Sequence, residues 1–236
     1  MHSQTDVALV RTLNEDACRT GLLGENGAWA VVCDGMGGAN GGEIASETAV
    51  KSIEEQILAS YEEDFKSEEM KLMLSTLIFH ANSAVYDMAQ ENESLKGMGT
   101  TIVVAIVLDN VAHIAHAGDS RAYLLHNGNI MQITTDHSMV QELIKNGDLT
   151  VEQAKVHPQK NIITRALGVN PVVEIDYEKV PDRILICTDG LTNYIEPEKI
   201  RNLADDMDSV SLADRLVALA KENGGGDNIT VAILDN

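Results

Sequence analysis

The sequence predicts an α+β domain in which helices are inserted into a mostly antiparallel strand system, and three observations carry that prediction. Short apolar runs recur, and two pairs of them are joined by two-residue turns suited to β-hairpins, at Asp109-Asn110 and around Asn127-Gly128. Residues 43–61 and 67–91 instead carry apolar side chains at helical spacing. Asp34, Asp119, Asp189 and Asp227 each have a glycine within a residue of them, at the end or start of an apolar run.

In chain order, residues 5–11 alternate as a first strand, and Arg11-Thr12-Leu13-Asn14-Glu15-Asp16 follows at once. Arg11 either neutralises the acids beside it or offers its planar fork to a phosphate. Residues 28–33 form a buried strand that ends at Asp34, followed by a loop whose glycines, Gly35, Gly37, Gly38, Gly41 and Gly42, allow positive φ and a close backbone approach. A strand that delivers an acid into such a loop suits a cation or a phosphate, the alternative being an ordinary strand-loop-helix connection. The glycines lack the lysine and hydroxyl of a nucleotide-binding P-loop.

A polar, acidic loop at 61–67 separates the two long helices. Ser67 is the expected N-cap of the second, in which Met70, Met73, Leu74, Leu77, Ile78, Ala81 and Val85 share the face that packs on a sheet. Gly97-Met98-Gly99-Thr100-Thr101 leads into strands at 102–108 and 111–117, and the second ends in Gly118-Asp119-Ser120-Arg121. Asp119 there either points into a cleft with Asp34 and Asp189, or pairs with Arg121 or caps the turn. After the hairpin of 122–125 and 129–133, Asp136-His137-Ser138 opens a short helix to Asn146 that Gly147 ends, and Thr150 and Gln153 make a capping box for another. His137 and His157 are candidate ligands or acids, or plain loop residues. A strand at 172–177, a run at 183–187 that ends in Thr188-Asp189-Gly190-Leu191, a helix at 211–223 and a last strand at 229–234 behind Gly226-Asp227-Asn228 complete the chain.

The 236 residues suit one domain, and a hydrophobic content of 44% supplies a sizeable core. A formal net charge of −20, from 37 acidic and 17 basic residues, argues against nucleic acid or an anionic membrane as partner. No apolar run is long enough to span a membrane and no signal peptide is evident, so the expected location is the cytoplasm. Cys18, Cys33 and Cys187 lack metal-finger spacing and read as buried thiols of a reducing compartment.

Four aspartates at strand ends, with Glu15 and Asp16, would repel one another in a cleft without cations. Oxygen ligands suit Mg²⁺ or Mn²⁺ rather than Zn²⁺, and two such ions could activate a water and hold a phosphate. With that constellation the chain resembles the metal-dependent serine/threonine phosphatases of the protein phosphatase 2C type, in their compact bacterial form. The resemblance runs in order through the segments beginning at Arg11, Asp34, Gly99, Gly118, Asp136, Ala166, Thr188 and Gly226, and spans nearly the whole chain.

It implies a central sandwich of two antiparallel β-sheets flanked by helices, with the metals in a cleft at one end. It implies two tightly bound ions bridged by Asp34, with the Gly35 carbonyl on one, Asp189 and Asp227 on the other, and Glu15 and Asp16 binding directly or through water. Arg11 matches the phosphate-binding arginine, and Asp119 with Asp189 matches a weaker third site. The implied activity is hydrolysis of phosphoserine and phosphothreonine in proteins through a metal-activated water, by a monomer that opposes a bacterial serine/threonine kinase, with a flap-like segment at 137–168 beside the cleft. Three residues depart from the pattern: Met36 replaces the histidine of animal members, Ala39 a histidine common in bacterial ones, and Asn193 an aspartate frequent near the third ion. They leave a catalytically weak, phosphatase-like binding module as the alternative.

Overall fold

The computed structural model describes every residue except 26, 61–68, 182 and 236, and the side chains of 38–40. Its strands are β1 (His2–Asp6), β2 (Asp16–Leu23), β3 (Gly27–Met36), β4 (Gly99–Thr100), β5 (Ile102–Leu108), β6 (Val111–Ala117), β7 (Arg121–His126), β8 (Asn129–Gln132), β9 (Asp176–Pro181), β10 (Arg183–Cys187) and β11 (Ile229–Leu234). The helices are α1 (Gly38–Ser60), α2 (Met70–Glu91), α3 (Met139–Asn146), α4 (Val151–Lys155), α5 (Asp189–Thr192), α6 (Pro197–Ala204) and α7 (Ser209–Glu222). One sheet runs β1-β11-β10-β7-β8 and the other β2-β3-β5-β6-β9, with β4 beside β3, and every pairing is antiparallel.

The expected sandwich is present, and its layers follow from strand alternation. In β3, Ala30 and Val32 face the other sheet, packing with Val103, Ala105, Ala122, Ile186 and Ala232, while Val31 and Cys33 face α1 and α2. Across the molecule, Leu185, Cys187, Val231 and Ile233 face α7 through Leu212, Leu216 and Ala220. Both faces of the central strands are therefore buried, which is why their sequences read as continuous apolar runs.

Most local expectations hold. The methionine-containing stripe of α2 is core, with all seven of its residues buried. Both hairpins have positive φ at both central residues, 49° and 64° at Asp109 and Asn110, 51° and 69° at Asn127 and Gly128. Gly147 ends α3 at φ 82°, and the capping box of Thr150 and Gln153 is formed. The three cysteines are buried free thiols.

The differences are at element ends. β1 stops at Asp6 instead of 11, because the Asp6 carboxylate accepts from the Ala8 amide at 2.7 Å and Ala8 turns to φ 64°. β2, at Asp16–Leu23, forms although its sequence lacks the alternation that marks a half-buried strand. α1 starts inside the glycine loop, at Gly38, directly after the turn at Gly37 (φ 123°). β9 lies at 176–181 rather than 172–177, and α7 starts at Ser209 because Asp208 caps it. The loop at 61–67 and the cap at Ser67 lie outside the described residues.

Candidate metal centre

The centre is built where the ends of both sheets meet. Asp16 opens β2 directly opposite Asp34 in the register with β3. Asp34 is held by its backbone: its amide donates to Thr101 Oγ1 at 3.0 Å, and its carbonyl accepts from the Thr101 amide at 2.9 Å and from Thr100 Oγ1 at 3.0 Å. Asp16 is buried, and its Oδ2 accepts from Thr188 Oγ1 at 2.9 Å and Thr230 Oγ1 at 2.7 Å. Those threonines belong to the other sheet's β10 end and β11, so the sandwich itself orients this carboxylate.

Glu15 is fixed through Asn228, whose Oδ1 accepts the Glu15 amide at 2.8 Å while its Nδ2 donates to the carbonyls of Val7 and Leu13. The Gly35 amide in turn donates to the Glu15 carbonyl at 3.0 Å, and a Cβ at Gly35 would strike the Gly42 backbone. Asp189 opens α5 and accepts from Asn193 Nδ2 at 2.9 Å. A Cβ on Gly190 would collide with the Asn228 carbonyl, so glycine lets α5 close on the start of β11, which brings Asp189 beside Asp227.

The electrostatics report the crowding. Burial pushes Asp34 well above the ordinary carboxylate range, and the charges of Asp16, Asp189, Asp119 and Asp227 push it further in the same direction. Asp16 and Asp119 rise to about 7, chiefly through desolvation, with neighbouring acids adding to it. Glu15 and Asp189 are raised for the same first reason. Against these carboxylates stands Arg11, whose Nε and Nη2 lie 2.9 and 3.0 Å from the two Asp227 oxygens. Arg121 sits nearby, but its fork is taken by Asp136 at 2.6 to 3.2 Å, so Asp119 does not have it as an ion-pair partner. An all-oxygen donor set with this excess of negative charge fits hard divalent cations.

The structure thus brings Asp16, Asp119, Asp189 and Asp227 within electrostatic reach of Asp34, and Glu15 within reach of Asp227, with Arg11 at the rim, half-exposed. His157 lies elsewhere, its Nδ1 accepting from the Gln159 amide in a turn. His137 holds the Gly118 peptide. Sequence reasoning assigned no role to Thr101, Thr188, Asn228 and Thr230. All four stood in the segments that carried the resemblance, and a hydroxyl or amide next to a strand-end acid was the available signal. Met36 packs over Gly99, and the Ala39 side chain is outside the described residues. Beside the centre, a cavity of about 520 Å³ opens between Asp119 and Asp189 and the flap residues Ser138, Ile144 and Lys155.

Comparison with known proteins agrees with this construction. The family model described as protein phosphatase 2C matches residues 9–227. A serine/threonine phosphatase stp of Listeria welshimeri is 38% identical over 100% of this chain and 96% of its own length. The crystal structure of the serine/threonine phosphatase Stp1 from Staphylococcus aureus superposes with a TM-score of 0.91 at 37% identity, covering 99% of this chain and 93% of that one. The catalytic domain of the serine/threonine protein phosphatase PstP, solved in complex with 2 manganese ions, matches at 0.84 and 32% identity over 99% and 96% of the two chains. Because the family model spans residues 9–227 and these relatives match the chain from end to end in sequence and in fold, the chain belongs to the protein phosphatase 2C family and is a serine/threonine protein phosphatase.

Proposed function

We propose that the enzyme hydrolyses phosphoserine and phosphothreonine in protein substrates with two tightly held Mn²⁺ or Mg²⁺ ions and a weaker third. The observation that carries this reading is the convergence on Asp34 of the charges of Asp16, Asp119, Asp189 and Asp227, delivered by separate elements of both sheets. Asp34, Glu15, Asp16, the Gly35 carbonyl, Asp189 and Asp227 would hold the tight pair, and Asp119 with Asp189 would hold the third. Such ions, when bound, supply an activated water and offset the charge of the phosphoryl group.

The chain's own residues do the positioning. Thr188 and Thr230 orient Asp16 and favour its ionised form against the desolvation that raises its pKa, and Thr101 fixes Asp34. Arg11 is half-exposed and pairs with Asp227 through Nε and Nη2, and it would meet the phosphate oxygens by releasing that carboxylate. Met36 has no proton to give, so water or another group protonates the leaving alkoxide. The flap cavity receives the chain around the phosphorylated residue. We read residues 1–236 as one catalytic domain, a cytoplasmic monomer that opposes a bacterial serine/threonine kinase. The charge of −20 disfavours nucleic acid and anionic membranes, and among the described residues no helix is long and apolar enough to cross a membrane.

Hydrolysis of an aryl phosphate tests this reading. Activity should require added Mn²⁺, vanish with a chelator and vanish in Asp34→Ala. Near-normal turnover in that variant would place the centre elsewhere.

A further inference from the structure

His116, His137 and Asp176 put three ligand-type atoms within 4.8 Å of one another. Such a triplet invites a metal, yet its hydrogen bonds say otherwise. His137 Nδ1 accepts the Gly118 amide at 3.1 Å, which commits the one lone pair of a neutral imidazole. Its Nε2 therefore carries the proton and donates to Asp176 Oδ2 at 3.2 Å. Arg165 Nη1 lies 3.1 Å from that same nitrogen while donating to Asp176 Oδ1 at 3.0 Å, a cation where a metal would have to approach. The ring is also stacked on His116, with centroids 4.6 Å apart and planes at 5°, so its plane is fixed.

Gly118 is the residue before Asp119. It stands at φ 118°, and a Cβ there would come within 2.6 Å of Thr101, so only glycine fits the turn and glycine alone does not stiffen it. The stiffness comes from His137. Its backbone amide donates to the Gly118 carbonyl at 2.9 Å while its ring accepts the Gly118 amide, so both faces of one residue are gripped by one partner. The Thr164 amide donates to the His137 carbonyl at 2.8 Å, which ties the grip to the returning segment of the flap, where Ser138 and Ile163 form an isolated bridge.

We propose that His137 is a positioning residue: its Nδ1 fixes the Gly118 peptide and thereby the direction of the Asp119 carboxylate, with Asp176 and Arg165 locking the ring. The proposal rests on the reading of Asp119 as a ligand of the third ion. Outer partners of metal ligands commonly govern affinity or activity by roughly 10- to 100-fold.

The test uses His137→Asn, whose Oδ1 can take the place of Nδ1 as acceptor for Gly118, and His137→Gln, whose amide reaches the Nε2 position but leaves the Gly118 amide without its acceptor. Kinetics on an aryl phosphate as a function of Mn²⁺, and Mn²⁺ binding by titration calorimetry, are followed for both variants, for Asp119→Ala and for the double variant His137→Gln/Asp119→Ala. In the calorimetry, His137→Gln should weaken the weakest site and leave the two tight ones. His137→Gln should lose about 10- to 100-fold in kcat and need more Mn²⁺ for half-maximal activity, with KM little changed. His137→Asn should recover most of that loss, and His137→Gln should add nothing in the Asp119→Ala background.

Wild-type kcat and Mn²⁺ dependence in His137→Gln, equal losses in the two single His137 variants, or a further loss in the double variant would each overturn the proposal. Should His137→Gln fail to fold, a loss in His137→Asn as deep as that in Asp119→Ala overturns it equally. An undiminished kcat in Asp119→Ala would refute the third-ion reading instead, so the two failures are told apart.

Discussion

Replacing Thr230 by valine removes one hydroxyl and nothing else of size, at a fully buried β-branched site in β11. The hydroxyl proton goes to Asp16 Oδ2 at 2.7 Å, so the 2.7 Å contact with Thr5 Oγ1 must be donated by Thr5, which itself accepts from Asn14 Nδ2 at 2.9 Å. The substitution therefore breaks a chain of donors aimed at a buried carboxylate. A hydrogen bond to a charged group contributes about 1.5–3 kcal/mol, and the valine side chain cannot replace it. For a protein of this size that is a fall in Tm of roughly 3–12 °C.

The effect is largest when Asp16 is fully ionised, as it is opposite a bound cation. Scanning calorimetry in saturating Mn²⁺ should thus show the loss, and titration calorimetry should show Mn²⁺ affinity reduced by up to about 100-fold, the affinity equivalent of the upper figure. Thr188→Val should not add to it simply, because both threonines donate to the same oxygen and the Thr230 amide donates to Thr188 Oγ1 at 3.1 Å. A Thr230→Val protein that melts within a degree of wild type in Mn²⁺ and titrates alike would refute the view that this relay holds Asp16.

Stability should rise with Mn²⁺ by mass action, roughly 2.7 kcal/mol per site at a hundredfold excess over Kd, and a Tm unmoved by millimolar Mn²⁺ would count against converging carboxylates as the metal site. Arg11→Ala should raise KM for an aryl phosphate more than it lowers kcat, because the guanidinium meets the dianion before reaction; a large kcat loss at constant KM would make it a transition-state group. Asp119→Ala should keep two tight Mn²⁺ sites on titration yet lose about 10²-fold in kcat, the scale of a lost acid-base contribution. Replacing residues 138–157 by a short Gly/Ser linker should change relative rates among phosphopeptides while sparing an aryl phosphate, since that segment walls the cavity beside Asp119 and Asp189; equal losses on all substrates would make it structural.

The sequence by itself determined the strand and helix inventory wherever the local signal was strong. The paired positive-φ turns, the α2 stripe and the cap at Gly147 all depend on neighbours a few residues away, so they can be read without the fold. It also singled out Asp34, Asp119, Asp189 and Asp227, each beside a glycine at the end or start of an apolar run, and in the structure the charges of the other three act on Asp34. β2 escaped because its pattern, DACRTGLL, is set by what packs on it rather than by its own alternation. The start of α1 among glycines is likewise decided from outside, by the close approach of Glu15 and Met98 to Gly42 and Gly41.

Only the tertiary structure decided how the acids are held. Thr188 and Thr230 are 172 and 214 positions from Asp16, and Asn228 is 213 from Glu15, so no window of sequence contains both partners. Arg11 illustrates the same limit: beside Glu15 and Asp16 in sequence, it forks onto Asp227 at the other end of the chain. The physical reason is that the two sheets bring their strand ends together from distant segments, and the orientation of a buried charge is fixed by the donors the opposite sheet supplies.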